Sequence, residues 1–167
     1  ERTDLRETVG KDADDQAFAR DFFAKYIEGR EAIDYASLVG QAGLVLRPRF
    51  AGAGWIGDFQ TEEADGEQRV TSLVPFDTPA YKAGLDFDHV IVSVNGTKPS
   101  AGLMELAAAM KPGSTLKLVS RARDGKEVTR DITVVANPHV ELVPVEATGG
   151  TPTAAQLVFR ESWLGAR

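Results

Sequence analysis

Thr78-Pro79-Ala80-Tyr81-Lys82-Ala83-Gly84-Leu85, followed after a short gap by Val90-Ile91-Val92-Ser93-Val94-Asn95-Gly96, is the stretch on which the reading of this chain turns. Proline suits the first position of a helix, where its missing N–H would have no partner anyway, and Gly84 suits the stop. Residues 89–94 form an apolar run with the composition of a strand. Asn95-Gly96 offers two residues that tolerate positive φ at a corner.

The same alternation continues outward. On the C-terminal side, 101–110 reads as a helix capped by Ser100 and ended by Pro112-Gly113. Its apolar positions Leu103, Leu106, Ala107 and Met110 follow i, i+3, i+4, i+7. Residues 115–121 and 128–135 then read as a hairpin around Asp124-Gly125, with Leu116, Leu118, Val128, Ile132 and Val134 alternating toward one buried face. On the N-terminal side, 44–46, 55–61 and 69–74 are strand candidates, with a turn at Asp65-Gly66. Strands broken by two short helices, without regular βαβ repetition, give an α+β class.

The first third is helical. Phe18, Phe22, Phe23, Tyr26 and Ile27 share one face of a helix with an aspartate cap at Asp14 or Asp15 and a stop at Gly29. A second helix has Asp34 as cap, Tyr35, Leu38, Val39 and Ala42 as apolar positions, and Gly43 as end. Asp4-Leu5-Arg6-Glu7 reads as a capping box opening a further turn or two. Three short helices bury such an aromatic stripe poorly by themselves. The Phe18/Phe22/Phe23/Tyr26 face is therefore expected to lie partly exposed or in a chain–chain contact. After Pro138 the chain loosens. Thr151-Pro152 opens a last helix with Ala155, Val158, Phe159 and Trp163 on one side, which is expected to dock.

Composition narrows the chemistry. The 167 residues are 43% hydrophobic and 26% charged, a globular balance. Without cysteine there is no disulfide, thiol nucleophile, iron–sulfur cluster or thiolate zinc site. A net charge of −6 argues against a nucleic-acid surface. No apolar stretch approaches a membrane span or a signal peptide. The charged start Glu1-Arg2-Thr3-Asp4 suits a piece cut from a longer protein.

With those residues in view, the central stretch resembles a bacterial PDZ domain, whose pattern is S-P-A-x-x-A-G-L-x-x-G-D-x-I-x-x-V-N-G. Every landmark is present except Gly-Asp, replaced here by Asp88-His89; aspartate tolerates left-handed φ better than most residues. The flanks Phe22-Phe23-Ala24-Lys25-Tyr26-Ile27-Glu28-Gly29, Ile33-Asp34-Tyr35, Gln41-Ala42-Gly43-Leu44-Val45-Leu46-Arg47, Thr153-Ala154-Ala155-Gln156 and Trp163-Leu164-Gly165 look like the end of a glycyl aminopeptidase-type zinc metallopeptidase. The resemblance implies three segments: 1–43 from the end of a catalytic domain, 44–141 as a PDZ-like, partly open β-barrel or sandwich, and 142–167 as linker and C-terminal helix. It implies a parent hydrolase in a periplasmic or secreted setting, with its zinc in a catalytic domain outside this chain. The H-E-x-x-H helix is absent, and neither His89 nor His139 has a second histidine four residues away. This chain alone is therefore expected to be inactive and to hold no cofactor.

Candidate chemistry divides accordingly. Gly52-Ala53-Gly54-Trp55-Ile56-Gly57 matches G-x-G-x-x-G, but no helix of useful length follows, as a dinucleotide site requires. In the PDZ reading, Trp55, Ile56, Gly57, Asp58 and Phe59 form the loop whose N–H groups meet a peptide's end. The alternative is a glycine-rich connector with Trp55 as a core anchor. Asp58 would repel a C-terminus. The opposite wall is helix 101–110, where Leu103, Leu106, Ala107 and Met110 make an apolar pocket or face the sheet as core. His89 reads as a strand-edge residue and His139 as a loop residue. Arg47, Arg49, Arg121, Arg123, Lys126 and Arg130 form a basic cluster, most simply a solvated face. The partners expected are an extended peptide or protein C-terminus, the parent's own catalytic domain, and a second copy through the aromatic helix. The competing function is a structural or oligomerisation domain with a closed groove.

Overall fold

Thr78 shows how local chemistry starts the central helix. Its backbone is extended at φ −72° and ψ 156°, and its buried Oγ1 accepts from the N–H of Tyr81 at 3.3 Å. Pro79 then occupies the first turn, where no N–H is needed.

A computed structural model describes residues 2–64 and 66–165. In chain order the elements are α1 (Arg2–Asp12), α2 (Gln16–Phe22) continued by a π-helical turn (Phe23–Ile27), α3 (Tyr35–Gly40), β1 (Leu44–Pro48), β2 (Gly54–Trp55), β3 (Thr61–Ala64) and β4 (Glu67–Val70). They continue with α4 (Pro79–Lys82), β5 (Val90–Val94), α5 (Leu103–Ala108), β6 (Thr115–Arg121), β7 (Glu127–Thr133), β8 (Val135–Ala136), β9 (Val140–Pro144), a 3-10 turn (Val145–Thr148) and α6 (Ala154–Leu164). The class is α+β with open sheets and a PDZ-like arrangement. The chain forms two compact units: residues 47–141, and residues 1–46 together with 142–167. Segments from both sides of residues 47–141 thus join in one unit.

In the unit of residues 47–141, β3-β4-β5-β6-β7 make an antiparallel sheet in that order, and β2 pairs with β8. The β6–β7 register sets Leu116 opposite Ile132 and Leu118 opposite Arg130. Gly125 turns this hairpin at φ 81°, and the Asp124 carboxylate accepts from the N–H of Lys126. Asp65 of the β3–β4 turn lies outside the described residues. The core gathers Leu116, Leu118, Ile132 and Val134 from the hairpin, Val70 and Ile91 from the neighbouring strands, Leu103 and Ala107 from α5, and Ile56 and Phe59 from the loop after β2.

Three sequence expectations shift here. The strand expected at 55–61 is interrupted. Ile56 and Phe59 both point inward, a spacing of three that a two-residue pleat does not allow. Gly57 between them has φ 143°, so β2 ends at Trp55 and β3 starts at Thr61. The second hairpin strand ends at Thr133, with Val128 exposed rather than on the buried face, and β8 turns away to pair with β2. Ser100 does not cap α5; Gly102 holds the cap position, and no side chain caps there.

In the other unit, Asp15 caps α2 by accepting from Ala17 and Phe18 N–H groups at 2.9 Å. Asp34 caps α3, accepting from the backbone and hydroxyl of Ser37. The hydroxyl bond and then the backbone bond hold the Asp34 carboxyl below the usual range. Asp4 lies inside α1 and does not open it. The aromatic stripe is divided: Phe23 is buried, Phe22 and Tyr26 are half-buried, and Phe18 and Ile27 are exposed. The cap of α6 is Thr153, two residues after the expected Thr151, and Thr153 and Gln156 form a capping box. It docks through polar groups. Gln156 Nε2 donates to Gly40 O at 2.8 Å, and Arg160 donates to Ala42 O at 2.7 Å, Gly43 O at 2.8 Å and Glu146 Oε1 at 2.8 Å. The apolar residues Val158 and Trp163 stay exposed.

Candidate functional site

The loop after β2 is built by two glycines for two reasons. Gly54 sits under α5; a Cβ there would fall 2.4 Å from the Ala107 carbonyl oxygen and from Val134 Cγ1. Gly57 takes a φ that side-chain-bearing residues rarely adopt. Between and after them the side chains of Ile56 and Phe59 anchor the loop in the core, so its backbone stays at the surface of a hollow. Among the described residues, nothing accepts from the backbone N–H groups of residues 56–59. Gln60 turns the other way: its N–H donates to Ser72 Oγ at 2.8 Å, and its carbonyl accepts from Thr71 N at 2.9 Å. Backbone groups alternate along an extended chain, so the N–H of Phe59 faces away from β4, on the edge where a further strand would add.

Two hollows meet at this edge and share Asp58 and Met104 in their linings. The first, of about 240 Å³, is walled by the 53–58 loop, by Phe50, Asn137 and His139, and by Met104, Ala107 and Ala108 of α5. The second, of about 500 Å³, runs along Phe59, Gln60 and Ser72. Asp58 stands on the rim. One carboxylate oxygen accepts from Trp55 Nε1 at 2.9 Å, and the other lies 3.1 Å from His139 Nε2. The His139 ring in turn meets Phe50 edge-on at 6.2 Å.

The expected groove residues separate on this geometry. Trp55, Ile56, Gly57, Asp58 and Ala107 line the first hollow, and Asp58 and Phe59 line the second. Leu103, Leu106 and Met110 line neither: Leu103 is fully buried, and Leu106 and Met110 pack against the core. The i, i+3, i+4, i+7 stripe of α5 thus faces mainly the core, Ala107 touching both core and hollow, and Met104 and Ala108 complete the hollow's wall. Those two were legible as the next row of the same helix. Phe50, Asn137 and His139 were not, because the segment carrying them returns to the loop only through tertiary pairing. Asn137 N donates to Ala53 O, and Arg49 N to His139 O.

The other candidates are accounted for by local partners. His89 is half-buried at the start of β5 and accepts from the N–H of Asp86 through Nδ1 at 3.3 Å. Burial, and then the Arg130 charge, hold its pKa below the usual value. The basic cluster is largely paired. Arg69 and Arg123 both bind Asp88, at 2.8 and 2.9 Å, and Arg69's hydrogen bond is the main cause holding that carboxyl below the usual range. Arg121 pairs with Glu67, Arg47 with Glu141, and Arg130 donates to Ser120 Oγ. Asp88 itself has φ 69°, so the aspartate in the place of glycine both takes the left-handed turn and ties β4 to the turn between β6 and β7. Among the described residues, no group of three or more His, Asp or Glu is placed to hold a metal. No described helix is long and apolar enough to cross a membrane.

No family model and no curated protein sequence matches the chain. Solved structures do. An aminopeptidase N family protein from Idiomarina loihiensis superposes with a TM-score of 0.52 at 14% identity, over 81% of this chain and 25% of that one. The HtrA-type protease AlgW with decapeptide matches at TM-score 0.44 and 23% identity, over 52% of this chain and 30% of that one. A photosystem II D1 C-terminal processing protease matches at 0.41 and 18%, over 71% and 38%. The chain therefore spans less than two fifths of the length of each of these structures.

Proposed function

We propose that residues 47–141 are a peptide-binding module of a larger peptidase, holding an extended segment as an added strand between Phe59 and α5. The observation that carries this reading is the run of unaccepted N–H groups at residues 56–59 beside an apolar hollow. Such donors want carbonyl or carboxylate oxygens, and an added strand supplies a carbonyl in register to the outward N–H of Phe59. Met104, Ala107 and Ala108 offer apolar contact to side chains of that strand. The test is a titration of isotope-labelled protein with extended apolar peptides. Shifts confined to residues 55–61 and 104–108 are expected at high micromolar to millimolar peptide. No shift at millimolar peptide would leave a structural domain with an unused groove.

The parent in this proposal is a glycyl aminopeptidase-type zinc metallopeptidase. Two things support it: the motifs on both flanks, and a structural likeness to an aminopeptidase N family protein that covers more of the chain than residues 47–141 supply. In this reading the zinc and its glutamate base belong to the catalytic domain, and the present chain neither binds zinc nor hydrolyses amides. The half-exposed face of Phe18, Phe22 and Tyr26 would meet that domain, or a second copy in its absence. The coding sequence ahead of Glu1 should then contain H-E-x-x-H, and the purified chain should carry no stoichiometric zinc. Tightly bound zinc with hydrolysis of glycyl or alanyl amides would overturn this assignment.

A further inference from the structure

The end of the groove carries more information than its shape. Of the side chains lining the two hollows, only Asp58 and His139 can ionise, and Asp58 borders both. His139 adds positive charge only when protonated. Arg49 is not part of the lining; its guanidinium lies over the Phe50 ring, 5.1 Å from the centroid. The Asp58 side chain is 56% exposed and is held in place by Trp55 Nε1 and His139 Nε2. A carboxylate offers about four acceptor sites, so two remain for a ligand.

Resting on the peptide-binding reading above, we propose that this groove selects an internal, basic segment of an extended chain, with an arginine or lysine set against Asp58, and does not read a terminal carboxylate. A terminal carboxylate taken up by the N–H groups of residues 56–59 would sit within a residue of a fixed like charge. The carbonyl groups of a chain passing through can meet the outward N–H of Phe59 without that repulsion. A basic side chain turns the Asp58 charge into attraction, and the chain's net charge of −6 acts in the same direction at long range.

The test uses three peptides against the full labelled chain. One is the acetylated, amidated heptapeptide alanine-threonine-valine-arginine-valine-threonine-alanine. The second replaces its arginine by glutamine. The third is the glutamine peptide with a free carboxyl end. The arginine peptide should bind about two- to fivefold more tightly than its glutamine counterpart, the range an exposed ion pair supports. Added salt should narrow that gap, and Asp58→Asn should close it while the spectrum shows an intact fold. The free carboxyl should bring no gain. If the free-acid peptide binds most tightly and Asp58→Asn strengthens it further, the selection proposed here is wrong while the groove reading stands. If no peptide shifts residues 55–61, both fall together.

Discussion

The two units bury apolar residues by different means. Residues 47–141 enclose a continuous core to which sheet, α5 and the groove loop all contribute. Among its described apolar residues the helical unit buries only Ala19, Phe23, Val39 and Ala42 and leaves Phe18, Ile27, Val158 and Trp163 exposed. Its order comes from caps and from Gln156 and Arg160 reaching backbone carbonyls. A core of interlocked side chains is costly to disturb anywhere. A unit held by a few polar contacts fails at those contacts and tolerates change on its apolar surface.

The sharpest test of this contrast is a pair of truncations. Leu116→Ala or Ile132→Ala removes a fully buried side chain from the sheet and should lower stability by about 2–5 kcal/mol. Val158→Ala, on an exposed face of α6, should stay within about 0.5 kcal/mol. Urea unfolding read by tryptophan fluorescence and by circular dichroism would measure both. Equal losses would abolish the distinction between the units.

Gly54→Ala probes the junction of core and groove. The new methyl meets the Ala107 carbonyl and Val134 Cγ1 at 2.4 Å, so α5 must shift or the loop must leave. Overpacking of this kind costs about 1–3 kcal/mol, and the N–H resonances of residues 54–59 and 103–108 should move together. An unperturbed spectrum would mean that the loop and α5 are not braced against each other.

Legibility in the sequence follows the same division. Residues that act with their chain neighbours were readable: Thr78 and Pro79 starting α4, Asp34 capping α3, Asp124-Gly125 closing the β6–β7 hairpin. Leu116, Leu118, Ile132 and Val134 alternate in sequence and are all fully buried. Residues that act across the fold were not. Ile56 and Phe59 read as strand because nothing local reports that both turn inward. His139 gave no sign of lying beside Asp58, 81 positions earlier in the chain. Periodicity marked the core stripe of α5, which meets the hollow through Ala107, and left out Met104 and Ala108. Phe159 and Trp163 suggested an apolar docking face for α6, while the docking is done by Gln156 and Arg160.

Arg160→Ala tests the helical unit from its polar side. It removes the hydrogen bonds to Ala42, Gly43 and Glu146. Partly exposed as they are, their loss should cost about 1–2 kcal/mol. Hydrogen exchange should speed up across Ala154–Leu164 and leave β5 and β6 untouched. Arg160→Lys should not restore protection, because an ammonium lacks the planar fork that reaches three acceptors. Unchanged exchange in α6 would mean that its apolar residues hold it after all.

The smallest expected effect is a pH dependence confined to residues 47–141. Burial and the Arg130 charge hold His89 below its ordinary value, and its Nδ1 accepts from Asp86 N–H, which only an unprotonated Nδ1 can do. The unfolded chain takes up this proton near the ordinary value of about 6.5, whereas the folded chain takes it up at a lower pH. Between those two values the unfolded state carries more protons, so stability rises with pH. The contribution is fully present above the ordinary histidine value. It is lost as pH falls toward the lowered native value, and below that it changes no further. The Asp34, Asp88 and Glu146 carboxyls, also lowered, lose their contributions at more acidic pH still, below the ordinary carboxylate values near 4. A series of urea midpoints from pH 7.5 downward should therefore show a shallow fall through the histidine range before the steeper acid loss. His89→Gln keeps a polar side chain without a titrating ring and should flatten the first fall alone. If the variant keeps the whole slope between pH 7 and 5, His89 is not its source.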